Sequence, residues 1–175
     1  LIDSVIVTPM IAGTAYKYRV RAVSGANVSP NSNEITVLTV PQQPLIDYID
    51  DAIVTVSSFL IEWPDVLSAT SYDIQLSTTV GLVTGYTALN VLANASNTFT
   101  LGAMPNPPLQ PNTMYTVHLK AVNAGGKSTE TTAVATTLPT PPTAITANPT
   151  NNGFALNWTA PTGDGVIDNY KIDIS

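Results

Sequence analysis

The feature that most constrains the fold is an internal repeat with a period of about 98 residues. Residues 109–122 align with residues 10–23, so that Tyr115 corresponds to Tyr16, 99 positions earlier. A repeating unit of this length is as long as a small domain, and units of that size normally each carry a core of their own. The sequence therefore predicts a tandem array of similar modules.

Two more matches recur at nearly the same distance. Residues 71–77 align with residues 169–175 at an offset of 98, and Trp63 aligns with Trp158 at an offset of 95. These matches lie in a different part of the unit from the first one. The repeat therefore covers most of the chain and is more than one shared motif.

Proline-rich stretches separate the repeating units. Residues 41–44 and residues 139–142 each contain at least two prolines, and Pro41 and Pro139 are 98 positions apart. Proline fixes φ and removes a backbone donor, which stiffens a linker and stops one sheet from continuing into the next. The predicted division is residues 1–40 as the C-terminal part of a first module, residues 41–138 as a complete module, and residues 139–175 as the N-terminal part of a third module. This last part is predicted to hold the first three strands of its module.

Alternating apolar and polar residues predict β-strands in the complete module. Period two is the pattern of a strand with one buried face, and the 14 Pro and 10 Gly residues favour short strands and turns over helices. The predicted fold class is all-β. The residues predicted to face the core are Phe59, Ile61, Trp63, Tyr72, Ile74, Leu76, Tyr115, Val117, Leu119 and Ala121. Those predicted to face outward are Leu60, Glu62, Asp73, Gln75, Thr116, His118 and Lys120.

The chain resembles the fibronectin type III family. Trp63 lies on the second predicted strand, Tyr72 on the third, and a Leu-x-Pro-x-Thr-x-Tyr segment at residues 109–115 leads into the sixth. The resemblance implies tandem immunoglobulin-like β-sandwiches with seven strands per complete module, in which Trp63 and Trp158 anchor the cores. An immunoglobulin domain proper fits less well, because it usually carries a Cys pair and places its Trp on the third strand.

Two features depart from the family's pattern. Ala12 stands where the first Leu-x-Pro turn would have its proline, which leaves Tyr16 free to make the tyrosine-corner hydrogen bond. Residues 102–108 are a Pro-rich insertion before the second corner and are predicted to form an enlarged loop.

Charge and composition argue against several partners and chemistries. The net charge is −6 with only six Lys and Arg residues, so little is available to neutralise phosphates and no nucleic-acid partner is expected. No apolar run reaches the roughly 18 to 20 residues that cross a bilayer, so no membrane insertion of this segment is expected. The absence of Cys excludes disulfides, thiol catalysis and thiolate metal sites.

No catalytic, cofactor-binding or metal-binding residue is predicted, and the chain is expected not to be an enzyme. Hydrolysis by a nucleophile needs a base beside it, and the only His of the chain, His118, is predicted to be a surface residue. Calcium sites need several oxygen ligands converging on one ion. The carboxylates considered for calcium, and predicted instead to be solvated, are Asp47, Asp50, Asp51, Asp164 and Asp168.

A basic stripe and two tyrosines are the remaining candidates for binding. Lys17, Arg19 and Arg21 alternate on the outward face of one predicted strand and could meet an acidic partner, but carboxylates on the next strand are expected to balance them. Tyr48 and Tyr86 are the main aromatic residues outside the predicted cores. Two rings are too few to predict a carbohydrate-binding platform.

Adhesion motifs and glycosylation are not decided by the sequence. No Arg-Gly-Asp triplet occurs, so integrin-type adhesion has no support. Sequons begin at Asn27, Asn94 and Asn157, and they would be glycosylated only on a eukaryotic-type secretory route.

The leading hypothesis for function is a non-catalytic structural or adhesive spacer segment of a large extracellular, cell-surface or virion-surface protein. Its expected partners are neighbouring modules of the same chain, other proteins, or copies of itself in an assembly. Two alternatives stay open: accessory spacer modules of a secreted polysaccharide-degrading enzyme, and an ectodomain that binds protein through its loops. The polypeptide is expected to continue in both directions and to complete its own half modules, with completion by a neighbouring chain as the alternative.

Overall fold

The structure is a computed structural model that describes residues 4–49, 53–86, 89–93, 97–163 and 165–173. These residues form fifteen strands, β1 to β15, and no helix, which confirms the all-β prediction. The described part of the chain accordingly offers no apolar helix of membrane-spanning length. Below, residues 4–40 are called the first segment, residues 41–138 the central segment and residues 139–173 the third segment.

The first segment contains two antiparallel pairs of strands. β1 (Ala15–Tyr18) pairs with β4 (Ile35–Leu38). β2 (Val23–Ser24) pairs with β3 (Asn27–Val28) around a turn in which Gly25 has φ 60°. Glycine adopts this left-handed conformation without the steric cost that a Cβ brings.

The central segment contains two sheets. In the smaller sheet, the strands flanking the middle strand β6 (Phe59–Glu62) are β5 (Tyr48–Ile49) and β10 (Thr98–Leu101). The larger sheet is built on an antiparallel pair, β7 (Ser71–Thr78) and β11 (Met114–Asn123). Its outer strands are β8 (Gly81–Leu82) and β9 (Leu89–Leu92) beside β7, and β12 (Gly126–Lys127) and β13 (Thr131–Thr136) beside β11. The count of seven strands per complete module stays a prediction.

The core of the central segment lies between these two sheets. All ten residues predicted to face inward are at most 3% exposed, so the predicted alternation is confirmed. The rings of Phe59 and Tyr115 meet across the core with centroids 6.3 Å apart, and Trp63 meets Tyr72 edge-on at 5.1 Å. Aromatic pairs in such tilted and T-shaped arrangements add to the burial of apolar area. A β-sandwich results, as expected.

Asp73 is directed outward as predicted, but a neighbouring side chain covers it. Asp73 points away from the core, as its alternation with Tyr72 and Ile74 requires, yet it is only 6% exposed. Lys127 on β12 covers it, with Nζ 2.6 Å from Oδ2, and this opposite charge offsets the hydration that the carboxylate loses. The other residues predicted to face outward are half-buried: Leu60, Glu62, Gln75, Thr116, His118 and Lys120.

A hydrogen-bonded corner occurs in both the first and the central segments. The Ile11 N–H donates to Tyr16 Oη at 3.0 Å, and the Gln110 N–H donates to Tyr115 Oη at 2.8 Å. The predicted tyrosine-corner bond of Tyr16 is therefore confirmed. Ala12 does not disturb it, because the donor is a backbone N–H and the acceptor is the Tyr hydroxyl.

The third segment repeats the aromatic pair of the central segment. β14 (Thr143–Thr150) pairs with β15 (Gly153–Thr159), and Trp158 meets Tyr170 edge-on at 5.1 Å, as Trp63 meets Tyr72. Two of the three strands predicted for this segment are present. The third was wrong for the residues that the structure describes, because residues 165–173 are not in a strand.

The missing strand has a physical reason. In the central segment, the equivalent strand β7 lies between β9 and β11 and pairs with both. A strand is stabilised by such ladders, and the described residues of the third segment provide neither neighbour.

Replacing Trp63 with Ala should strongly destabilise the central segment. Trp63 is 3% exposed, and deleting a buried Trp side chain typically costs about 3–5 kcal/mol. We expect urea unfolding followed by circular dichroism to show a loss of that size in the main transition. Trp158→Ala is the matched control, because Trp158 makes the same aromatic contact in another segment, and it should shift the central transition by less than about 0.5 kcal/mol. Equal losses would contradict the assignment of Trp63 to an independent core.

Candidate interaction surfaces

The outward face of the larger sheet carries a hydrogen-bonded cluster centred on His118. Ser77 Oγ lies 2.8 Å from His118 Nε2, and His118 Nδ1 lies 2.9 Å from Glu130 Oε1. Lys120 Nζ lies 3.2 Å from the other Glu130 oxygen. The His118 side chain faces outward, as predicted, and is 22% exposed, but both of its ring nitrogens have hydrogen-bond partners.

This order of groups, hydroxyl to imidazole to carboxylate, is also that of a nucleophilic triad. In the neutral tautomer with a proton on Nδ1, His118 donates to Glu130 and accepts from the Ser77 hydroxyl. Acyl transfer also needs N–H donors directed at the developing oxyanion. Ser77 and His118 lie in strands that are paired on both sides, so the N–H groups of these strands serve the sheet. The geometry fits a cross-strand cluster that holds β7, β11 and the segment before β13 together.

The cluster also sets the charge state of its carboxylate. The hydrogen bond from His118 holds the pKa of Glu130 below its ordinary value of 4.5. Partial burial acts in the opposite direction, and the hydrogen bond from Lys120 again lowers the pKa. The folded state therefore favours the ionised form of Glu130.

A single carboxylate, that of Glu34, pairs with two of the three cations of the basic stripe. Lys17 Nζ lies 2.9 Å from Glu34 Oε1, and Arg19 donates to Glu34 Oε2 from both Nε and a terminal nitrogen. The hydrogen bonds of Lys17 and then Arg19 lower the pKa of Glu34. Arg21 donates instead to the neutral Asn31 side chain at 2.5 Å. The expectation of balancing cross-strand carboxylates is thus met only in part, because Lys17 and Arg19 share one carboxylate and Arg21 pairs with none in the described residues.

Tyr86 has a structural role that sequence reasoning missed. It was predicted to lie outside the core, but it is fully buried. Its hydroxyl donates to Pro107 O and accepts from the Gly102 N–H, both at 2.7 Å. Burial raises the pKa of Tyr86. The buried hydroxyl of Tyr86 therefore connects both ends of the Pro-rich loop at residues 102–108. The other candidate tyrosine, Tyr48, has a side chain that lies outside the described residues.

The acidic candidates and the sequons show no convergent site. In the described ranges, no group of three or more His, Cys, Asp or Glu side chains could hold a metal ion. Asp47 and Asp168 are exposed, whereas Asp50, Asp51 and Asp164 lie outside the described residues. The sequon residues Asn27 and Asn157 are exposed, and Asn94 is also outside the described residues.

The first and central segments meet at the turn between β11 and β12. Asn123, only 6% exposed, donates from Nδ2 to Thr39 O at 3.0 Å and to Ser68 Oγ at 3.1 Å. The Gly125 N–H donates to Asn123 Oδ1 at 2.7 Å and orients the side chain. A buried amide with both ends engaged is costly to expose, so this contact holds the two segments in place.

The linker after the first segment is held as well. Pro41 and Pro44 are buried, and the Gln43 side chain donates to Glu130 O at 2.6 Å. Proline lowers the conformational entropy of the unfolded chain, so less entropy is lost on folding, and burial of the proline rings adds apolar contact in the folded state. This linker is a packed part of the structure.

The comparisons with known proteins concern both sequence and structure. No family model matches the chain. In sequence, the chain is similar to Tenascin-R of chicken (Gallus gallus), with 30% identity over 159 residues; the match covers 90% of this chain and 11% of the length of that relative. In structure, it is similar to a segment of two fibronectin type III domains from chicken tenascin, with a TM-score of 0.50, 23% identity, and coverage of 72% of this chain and 66% of that one.

The His118 cluster should make the free energy of unfolding depend on pH in the acidic range. A carboxylate whose pKa is lowered by folding stabilises the fold at pH values above its unfolded pKa of 4.5. This contribution is lost as the pH falls through the pKa of the folded state. We expect Glu130→Gln to lower the free energy of unfolding at pH 7, and the difference from the unaltered chain to shrink toward pH 3. Urea unfolding at several pH values measures it. A difference that is equally large at pH 3 would show that Glu130 acts through packing and not through its charge.

Proposed function

Because the chain has the fibronectin type III fold, we propose that it is a non-catalytic structural or adhesive spacer of a larger multi-module protein. The observation that carries this proposal is that one packing scheme recurs along the chain. The same tyrosine corner occurs in the first and central segments, and the same Trp–Tyr pair occurs in the central and third segments. Repetition of a scaffold is what a spacer requires, since length grows with each added module.

We place the module boundaries after residues 40 and 138. Pro41 and Pro44 follow the first boundary, and Pro139, Pro141 and Pro142 follow the second. The last residue before each boundary, Val40 or Leu138, accepts a backbone hydrogen bond from the turn that precedes the tyrosine-corner strand of its own segment. These boundaries give a central module of 98 residues, in keeping with the period of the repeat.

A non-catalytic role agrees with the surfaces of the described residues. The His118 cluster supplies a base and a hydroxyl, but the strand N–H groups around it are used in the sheet. The described side chains bring together no metal-binding group. The net charge of −6 also makes a nucleic-acid partner unfavourable.

The proposed location is outside the cell, on a cell surface or on a virion. Similarity to Tenascin-R supports an extracellular protein in general. A fold stabilised by its core and its corner hydrogen bonds, without Cys, needs no particular redox compartment.

Labelling of intact source cells tests the proposal. An antibody against residues 41–138 should bind intact cells, shed particles or the secreted fraction, because a spacer of a surface protein is accessible there. An antibody against a cytoplasmic protein is the control for cell integrity. Binding that appears only after lysis would overturn the proposed location. Mass spectrometry of the precipitated full-length protein then decides the context, since a polysaccharide-degrading domain on the same polypeptide would make these modules accessory spacers of an enzyme.

The loop at residues 102–108 supports a second candidate, an ectodomain that binds protein through its loops. Its base is held by Tyr86, while Met104 at its tip is 89% exposed. An exposed flexible apolar side chain on a fixed loop is typical of protein-binding surfaces.

Met104→Ser tests the loop-binding candidate. The exposed position should change the free energy of unfolding by less than about 0.5 kcal/mol. In the assay, each chain is immobilised on beads and incubated with the source organism's extracellular extract. If the loop binds protein, the amount of partner captured by the variant should be lower than that captured by the unaltered chain by a factor of about ten or more, as expected for loss of a central apolar contact. Val80→Ser is the matched control, because Val80 is 96% exposed in another turn. Equal retention by all three chains would eliminate this candidate.

A further inference from the structure

We propose that neighbouring modules of this chain dock through one recurring pair of surfaces. One surface is the turn that precedes the tyrosine-corner strand, and the other is the loop between the Trp and the Tyr of the next module. This inference rests on the proposed division into modules. It adds to the spacer function a definite partner for each module, namely one loop of its neighbour.

At the first junction the backbone of the turn lies directly against the Ser68 side chain and the Leu67 carbonyl of the loop. Gly13, in the turn of the first segment, has φ 64°. A Cβ on Gly13 would collide with the Ser68 hydroxyl and would lie 2.8 Å from Leu67 O and 3.2 Å from Ser68 Cβ. Two features therefore favour glycine at position 13: the left-handed backbone conformation and the close approach of the loop.

At the second junction the equivalent surfaces meet through a side chain. Asn112 corresponds to Gly13, 99 positions later, and is also left-handed with φ 42°. Asn112 Nδ2 donates to Val166 O at 3.0 Å. Val166 stands four residues before Tyr170, as Ser68 stands four residues before Tyr72. The same two surfaces therefore meet, here through the Asn112 side-chain amide and a backbone carbonyl of the loop.

The docking turn is tied to the linker that leaves the module. The Gly13 N–H donates to Val40 O at 2.8 Å, and the Asn112 N–H donates to Leu138 O at 3.0 Å. The turn and the start of the linker therefore move together. When the turn docks on the next module, the linker is positioned too, and this gives each junction a preferred geometry.

A second contact supports the first junction. A Cβ on Gly125 would collide with Leu38 O and would lie 3.0 Å from the Thr39 carbonyl carbon. Gly125 itself does not have a left-handed φ, so its own conformation does not require glycine. The requirement at Gly125 comes from the neighbouring segment, which makes Gly125→Ala a selective way to disturb the docking.

Disulfide trapping tests the first junction. The chain has no Cys, so a pair of introduced thiols reports a single contact. A Cβ at position 13 would lie 3.2 Å from Ser68 Cβ, just under the roughly 3.5–4.5 Å of disulfides, so a shift of the turn by a few tenths of an ångström relieves the contact with Leu67 O and brings the Cys pair into bonding geometry. Under mild oxidation, Gly13→Cys with Ser68→Cys should cross-link at least about tenfold faster than Gly25→Cys with Ser68→Cys, because only the first pair is held at a high effective concentration. Gly25 is the matched control, since it has φ 60° and has nothing within 4 Å of its Cβ position.

Two glycine variants complete the test. Gly125→Ala added to the Gly13 pair should slow cross-linking about tenfold, as expected if it lowers the effective concentration. Gly153→Ala should leave the rate unchanged, because its Cβ would meet no atom closer than 3.9 Å. A Gly13 pair that cross-links no faster than the Gly25 pair would overturn the docking proposal. Surface labelling of source cells is independent of this outcome, so failure of the docking proposal and failure of the spacer function are distinguishable.

The second junction is tested by nuclear magnetic resonance. Asn112→Gly keeps the left-handed turn but removes the amide that reaches Val166. Amide chemical shifts of residues 165–168 should change, while those of Ile74 in the core should not. Unchanged shifts at residues 165–168 would show that the contact does not recur, and would overturn the proposal even if the first junction cross-links.

Discussion

The pairing of β7 with β11 is the constraint on which the rest of this structure depends. The two strands are in register over seven residue pairs, from Thr116 opposite Ser77 to Val122 opposite Ser71. Their inner faces provide the core residues, and their outer faces carry the His118 cluster. Because side chains alternate, a slip of one residue would turn the core side chains outward. The same register therefore decides the packing and the surface chemistry together.

The tyrosine corner occurs in both the first and the central segments, and it tolerates changes in sequence for a simple reason. Ile11 and Gln110 share no side-chain chemistry, yet both donate a backbone N–H to a Tyr hydroxyl. Since the donor belongs to the main chain, only the Tyr has to be kept. This explains how modules can diverge while the turns that face their neighbours retain one geometry.

The strengths of these contacts differ in a way that matters for a spacer. A hydrogen bond contributes about 0.5–1.5 kcal/mol net, whereas a buried Trp such as Trp63 is worth about 3–5 kcal/mol. The first junction is held by a few hydrogen bonds, from Asn123 and Gln43, and by buried prolines. Junctions are therefore expected to open before the central core unfolds. For the proposed spacer, this means that the array keeps a preferred shape at rest and opens first between its modules.

The sequence by itself determined the all-β class, the period of the repeat and the inward faces, because side-chain alternation and Tyr or Trp spacing are local properties of the chain. It did not determine which outward residues meet. Ser77, His118 and Glu130 are distant in sequence, and only strand register brings them together. The same holds for Asp73 beneath Lys127 and for Tyr86 under the Pro-rich loop. Contacts between strands, loops and neighbouring segments depend on how separate elements are placed in space, and that placement was decided by the tertiary structure.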